Sequence, residues 1–257
     1  GFAFVPLGPN LQAAQNRANQ GLDHASHDVG QLEQLMLPLI EALPQAYLEL
    51  SAASEGQDVL ICGPALPAGR MVHESTGIPF VSLQFSHFGG VGSPALQRSS
   101  AALINPIRAR FGLPPLENPL TIDANSPQLA LYAMSRHVRP PQSNWAAHYY
   151  MTGPFFLDDD VWQPDDRLLE FLEAGTAPVV FTFGSMTHGD PHALTHLLLE
   201  TIAAVGCRAI IQQGWSGLGD TTLPDTVLGV DYVSHHWLFP HAACIVHHGG
   251  AGTTGAS

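Results

Sequence analysis

From residue 31 the segment QLEQLMLPLIEALPQAYLEL repeats its apolar positions every three or four residues, which predicts an amphipathic helix. Pro38 and Pro44 fall inside it and are expected to bend or divide it, because each removes a backbone donor and crowds the preceding turn. The pattern then changes. DVLICG is a continuous apolar run suited to a strand buried on both faces, AGRMVHESTG reads as a short helix, and IPFVSLQF as the next strand. The same rhythm returns in PVVFTFGSM, PHALTHLLLETIAAVG and CRAIIQQGW, followed by two further strands in TVLGVDYV and ACIVHH. Strands alternating with helices predict an α/β fold built from doubly wound, Rossmann-like parallel sheets. The opening FAFVPL is also strand-like, as though the chain entered a fold already under way. Between the two series, GPFFLDDDVWQPDDRLLEFLEAG combines prolines with an acidic run and is the best linker. It divides the chain into an N-terminal unit, 1–157, and a C-terminal unit, 158–257.

Composition narrows the chemistry. The 257 residues suit one or two domains, and 45% hydrophobic content is enough for packed cores. Formal charge is −13 and all nine basic residues are arginine. The absence of lysine excludes a P-loop lysine, a Schiff base and a polybasic membrane patch. Nucleic acid is excluded as a partner for want of clustered cations. No apolar run reaches the roughly 20 residues of a transmembrane helix, although peripheral contact with a membrane stays open. Cys62, Cys207 and Cys244 match no zinc or redox spacing and read as reduced, mostly buried thiols of a cytoplasmic protein.

The most informative stretch is CIVHHGGAGTTGAS, a strand followed by glycines broken by small residues. Gly250, Gly252 and Gly255 fit G-x-G-x-x-G, with a helix beginning at Ala251 or Gly252. Glycines there would let the backbone approach a diphosphate seated on helix N-terminal amides. The same turn can also serve only to pack a helix closely. A nicotinamide fold would place this fingerprint after its first strand, whereas three strands of the C-terminal unit precede this one. Without lysine, a diphosphate can be held by amides, hydroxyls and an imidazole N–H. The ligand expected is therefore a nucleotide diphosphate.

Taken with its neighbours, HHWLFPHAACIVHHGGAGTTGAS resembles the signature of GT-B nucleotide-sugar glycosyltransferases, close to sterol 3-β-glucosyltransferases and the bacterial enzymes that glycosylate macrolides. GPFFLDDDVWQPDDRLLEFLEAGTAPVVFTFGSM, RAIIQQGWSGL and, more loosely, RARFGLPPL extend the resemblance over residues 105–257. The first hundred residues share only rhythm and DVLICGPALPAGRMVHESTGIPFVSL. The resemblance implies that His248 donates a hydrogen bond to the diphosphate. Amides of Ala251, Gly252 and Thr253, with the Thr253 hydroxyl, would complete the cradle, and Ser185 in FGSM would face the same phosphates. Val233 and His235 sit where the family holds uracil. Position 251 is often serine in the sterol enzymes; alanine keeps only the amide.

The reaction so implied is inverting transfer of a hexose, glucose above all, from a UDP-sugar to a hydroxyl of a lipophilic acceptor such as a sterol or secondary metabolite. The UDP-sugar is a co-substrate and no cofactor or metal is expected. The general base would precede Gly1 and the acidic–Gln pair that holds the sugar would follow Ser257, so the chain reads as an internal piece of a longer enzyme, inactive alone. No catalytic residue is assigned within it; His24, His73 and His87 have no positional argument. The loop SHFGGVGSPALQRSS is expected to help line the acceptor pocket. Two rival readings stay open, a nucleotide-sugar-binding module without turnover and a nicotinamide-dependent oxidoreductase.

Bland readings stand beside these. Ser185 can simply cap its turn, His235 can be an ordinary surface histidine, His247 reads as structural, and Trp237 and Phe239 as core. His188, His192 and His196 recur every four residues, but zinc needs a third converging ligand and an open position, so a solvated helix face is favoured. GWSGL has Leu218 where a nucleophile elbow needs its second glycine. The carboxylates of LDDD are consecutive and cannot easily converge on one ion.

Overall fold

The computed structural model describes residues 4–8, 29–63, 67–85, 94–138, 140–141, 143, 145–156, 162–184, 190–214 and 217–257. The chain folds as two units, with the division between Phe155 and Phe156.

In the first unit, helix α1 (Val29–Ala53) precedes β1 (Leu60–Cys62), α2 (Ala68–Thr76), β2 (Phe80–Gln84), α3 (Pro94–Arg110), β3 (Leu129–Tyr132) and β4 (Tyr149–Met151). The four strands are parallel in the order β1-β2-β3-β4. Pro38 and Pro44 do not divide α1, which continues through both. Its buried face (Ile40, Leu43, Ala46, Tyr47) joins Met71, Val72, Phe80 and Ile104 in one core, and that packing offsets the lost backbone bonds. β1 is not buried on both faces either. Among the described residues it is an edge strand, and Ile61 is 59% exposed while Leu60 faces the core. β3 and β4 went unread in the sequence, being short and joined without an intervening helix. Part of the expected acceptor loop is helical, since Pro94–Ser100 opens α3; residues 86–93 lie outside the described residues. Buried Arg108 is bound by Glu74 at 2.5 Å and by the Pro114 carbonyl, and Glu74 also accepts from Arg70. His73 is spent on structure, with Nδ1 donating to the Ile78 carbonyl at 2.7 Å; His24 and His87 lie outside the described residues.

The second unit contains α4 (Asp166–Glu173), β5 (Val179–Thr182), α5 (Pro191–Val205), β6 (Ala209–Gln212), β7 (Val227–Val230), α6 (His235–Leu238), β8 (Cys244–His247) and α7 (Ala251–Ala256). α4 lies in the stretch read as linker. Asp165 caps it by accepting from the Leu168 amide at 2.8 Å, and Leu168 reaches the core. Arg208 ties α4 to β6, with its guanidinium over the Phe171 ring at 4.1 Å and bonds to the Phe171 and Thr176 carbonyls. Asp190 caps α5 through the His192 and Ala193 amides, and Gly206, left-handed at φ +71°, closes it. Alternate strand residues feed two cores. Val180, Ile210 and Leu228 face Leu168, Val233, Leu238 and Phe239, whereas Phe181, Ala209, Ile211 and Val227 face Leu198, Ile202 and Leu218.

All four strands of this sheet are parallel, in the order β7-β6-β5-β8. The chain builds outward from β5 to β6 and β7, then returns to lay β8 on the other side of β5. This reversal opens a crevice at the carboxyl ends of β5 and β8, the place where open α/β sheets bind ligands. The cysteines correct another expectation. All are free, but Cys244 on β8 is exposed and Cys207 only half-buried; burial pushes the Cys62 thiol up to about 11. No helix among the described residues is long and apolar enough to cross a membrane.

Candidate functional site

Turns leaving the strands meet at this crevice. Gly184, Gly214 and Gly249 all adopt positive φ, at +58°, +59° and +80°, which disfavours any side chain there. A Cβ on Gly214 would also collide with the Gly184 carbonyl oxygen, so the β5 and β6 turns are in backbone contact. His248 occupies the gap beside them. A Cβ on Gly184 would meet its Cε1 at 3.1 Å, and one on Gly250 would collide with its Nε2. The imidazole thus fits between the β5 turn and its own glycine turn while remaining exposed.

α7 begins at Ala251, with Gly250 as its extended N-cap residue, and its first intrahelical bond runs from the Thr254 amide to the Gly250 carbonyl. The amides of Ala251, Gly252 and Thr253 therefore have no acceptor within the helix. Ala251 and Gly252 are exposed, Thr253 is buried, and α7 packs on α6. His247, aligned with Thr182 across the sheet, accepts the Gly249 amide on Nδ1 at 3.2 Å and so shapes the turn. Ser185 lies outside the described residues, as do His188, Trp215, Ser216 and residues 157–160.

Beside His248 lies a cavity of about 370 Å³ lined by Thr182, Gly184, Gln212, Gly214, Asp231, Tyr232 and His235. His235 is half-buried, stacked on Phe239 with centroids 4.5 Å apart, and its Nε2 lies 3.1 Å from Gln212 Oε1. The same oxygen accepts from the Thr182 hydroxyl at 2.8 Å. Burial lowers the His235 pKa below its usual 6.5, and the neighbouring imidazoles His236 and His247 lower it further. His235 is therefore a fixed, neutral imidazole rather than an ordinary surface histidine. Val233 does not line this cavity. Its side chain is 3% exposed and packs in the core, beside a separate space of about 480 Å³ near Trp162, Gln163 and Arg167. Phe239 is buried, and Trp237, half-buried, stacks on His241 and leans on Trp162.

Thr182, Gln212, Asp231 and Tyr232 were missed from sequence. The one signal for Thr182 and Gln212 was polarity at the ends of otherwise apolar strands, in VVFT and AIIQ. Electrostatically the two ends of the site differ. Asp231 disfavours an anion in the cavity, whereas amide dipoles and the His248 imidazole favour one at the glycine turn. A ligand with a neutral ring system joined to an anionic group fits both ends. No group of three or more His, Cys, Asp or Glu among the described residues is arranged to hold a metal. His192 and His196 are exposed on α5.

The fold is the GT-B fold of the solved structures it matches. Among solved structures, the kitacinnamycin glycotransferase matches with TM-score 0.64 and 17% identity, over 91% of this chain and 63% of that one. SnogD from Streptomyces nogalater matches with TM-score 0.63 and 18% identity, over 98% and 65%. SsfS6 of Streptomyces sp. SF2575, solved with thymidine diphosphate, matches with TM-score 0.57 and 16% identity, over 100% and 65%. In sequence, the chain is similar to a sterol 3-beta-glucosyltransferase of Arabidopsis thaliana, 31% identical over 290 aligned positions that cover 99% of this chain and 47% of the relative. The sterol 3-beta-glucosyltransferase of Yarrowia lipolytica is 39% identical over 140 positions, 49% of this chain and 10% of that protein. The chain thus spans about half the length of the Arabidopsis relative and a smaller part of the other. It matches no protein-family model.

Proposed function

We propose that the second unit binds the donor of a nucleotide-sugar glycosyltransferase, and that the whole protein transfers glucose from UDP-glucose to a hydroxyl of a lipophilic acceptor such as a sterol. The observation that carries this reading is the placement of His248 between Gly184 and Gly250, at the reversal of strand order and beside the His235 cavity. The similarity to sterol 3-beta-glucosyltransferases supports the sugar and the acceptor class. The nucleoside would occupy the cavity, with Val233 contributing backbone only, and the diphosphate would lie against His248 and the amides of Ala251, Gly252 and Thr253. Ser185 and the Thr253 hydroxyl are assigned to the same phosphates.

During transfer the acceptor oxygen attacks the anomeric carbon, the carbon–oxygen bond to the diphosphate breaks, and a general base takes the hydroxyl proton. Negative charge grows on the departing UDP, so a hydrogen bond from His248 strengthens as the bond breaks. No metal or cofactor is assigned to this step, and the protein is placed in the cytoplasm. The reading is tested by calorimetric titration of the chain with UDP and by a UDP-glucose transfer assay with the full-length protein and sterol acceptors. Saturable UDP binding that weakens at least ten-fold in His248→Ala is the expected result. Failure of the chain to bind UDP would sink the proposal.

A further inference from the structure

The Thr182–Gln212–His235 chain of hydrogen bonds lies beneath the cavity rather than at the glycine turn, and its chemistry is directional. Thr182 and Gln212 face each other across the β5–β6 register, and both are buried, at 1% and 8% exposure. Gln212 Oε1 is an acceptor only. With the Thr182 hydroxyl on one lone pair, it can pair with His235 Nε2 only if that nitrogen carries a proton. In a neutral imidazole this leaves Nδ1 deprotonated, an acceptor on a ring that lines the cavity. Stacking on Phe239, at an interplanar angle of 15°, fixes the plane of the ring, and the Gln212 contact fixes which edge faces it.

Resting on the donor-site reading above, we infer that Gln212 and Thr182 are positioning residues that hold His235 as its Nε2–H tautomer. Nδ1 then accepts the imide N–H of a uracil-type base and disfavours cytosine, whose N3 is itself an acceptor. Asp231 at the cavity rim excludes the phosphates from this end, which leaves the base and ribose as the groups that can meet the ring. The titratable side chains around His235 include His236 on α6, Cys244 and His247 on β8, His248 beside Gly184, His241 after α6, and Asp231 and Tyr232 after β7. The lowered His235 pKa keeps the acceptor available at neutral pH. Acidification through that lowered value protonates Nδ1 and removes the acceptor, so uracil selectivity is present at neutral pH and is lost only as pH falls through the lowered value, below the usual imidazole range.

Long-range proton–nitrogen NMR of the 257-residue chain reads the tautomer directly, and calorimetry with UDP and CDP reads selectivity. At pH 7.5 the expected results are the Nε2–H form and UDP binding about ten-fold tighter than CDP. Thr182→Val, which keeps the shape, and Gln212→Leu should each bring the two nucleotides to within about two-fold of each other. Gln212→Glu restores an acceptor, keeps Nε2 protonated and moves the acid-side loss of selectivity to higher pH, a shift that a purely structural glutamine would not produce. Should Gln212→Leu fail to fold, Thr182→Val and the unsubstituted chain still decide the matter. UDP binding with His235 in the Nδ1–H form, or with UDP and CDP equal, overturns this inference and leaves the donor site standing. No UDP binding despite an intact Nε2–H form overturns the donor site and this inference with it.

Discussion

Gly250→Ala should disable His248 without unfolding the protein. Gly250 has φ −60° and ψ 145°, which alanine adopts without strain, so the backbone has no reason to move. The new methyl would instead collide with His248 Nε2 and lie 2.8 Å from Cε1, and the exposed imidazole must swing out of its slot. Alanine is a poorer N-cap than glycine, at a cost of roughly 0.5–1 kcal/mol, while the loss of glycine's freedom in the unfolded chain returns about 0.4–1 kcal/mol. Net stability should therefore stay within about 1 kcal/mol of the parent. The lost bond to a diphosphate is charge-assisted and worth about 1.5–3 kcal/mol, or roughly ten- to 150-fold in UDP affinity. Calorimetry with UDP, paired with a melting curve, separates the two effects. His248→Ala should lose as much as Gly250→Ala, and the double variant no more than either, because both remove one interaction. Normal UDP affinity in Gly250→Ala, or losses that add in the double variant, would refute the placement of His248 on the phosphate.

His247→Ala should act on stability instead, lowering it by about 1 kcal/mol through loss of the acceptor for the Gly249 amide; a melting curve against a UDP titration checks this. Ile210→Ala should destabilise the second unit by about 2–5 kcal/mol in denaturant titration, because Ile210 is fully buried between α4 and α6 residues. Glucose transfer by the full-length protein should persist in excess EDTA, since amides and an imidazole are assigned to the leaving group; abolition by chelator and rescue by Mg²⁺ would overturn that assignment.

What the sequence disclosed depended on how far apart the deciding residues lie. Strands β5 to β8 were legible because each is an apolar run with its own punctuation, and the glycine turn because its residues are adjacent. The continuity of α1 was not, because local rules for Pro38 and Pro44 count the lost bonds and not the core that Leu43 and Tyr47 share with Met71 and Phe80. α4 was hidden by the acidic residues around it, which mask one buried leucine. Thr182 and Gln212 become neighbours only through parallel register, 30 positions apart. The sequence alone could therefore nominate histidines for a nucleotide site, while saying nothing of which imidazole nitrogen would carry a proton.

The contact between the Gly184 and Gly214 backbones has a thermodynamic consequence. The cavity and the slot are assembled from segments near 182, 212, 235 and 248, none of which can form its share in isolation. The geometry exists only once β5 lies between β6 and β8, so the binding-competent state and the folded state of this unit are one population. Nucleotide at a hundred times its dissociation constant would then add about 2.7 kcal/mol to folding. Conversely, a lesion deep in the β5–β6 core that leaves a tenth of the molecules unfolded weakens apparent affinity by only about a tenth, since ligand draws the rest back. Such a site tolerates damage to its scaffold far better than a single methyl at Gly250.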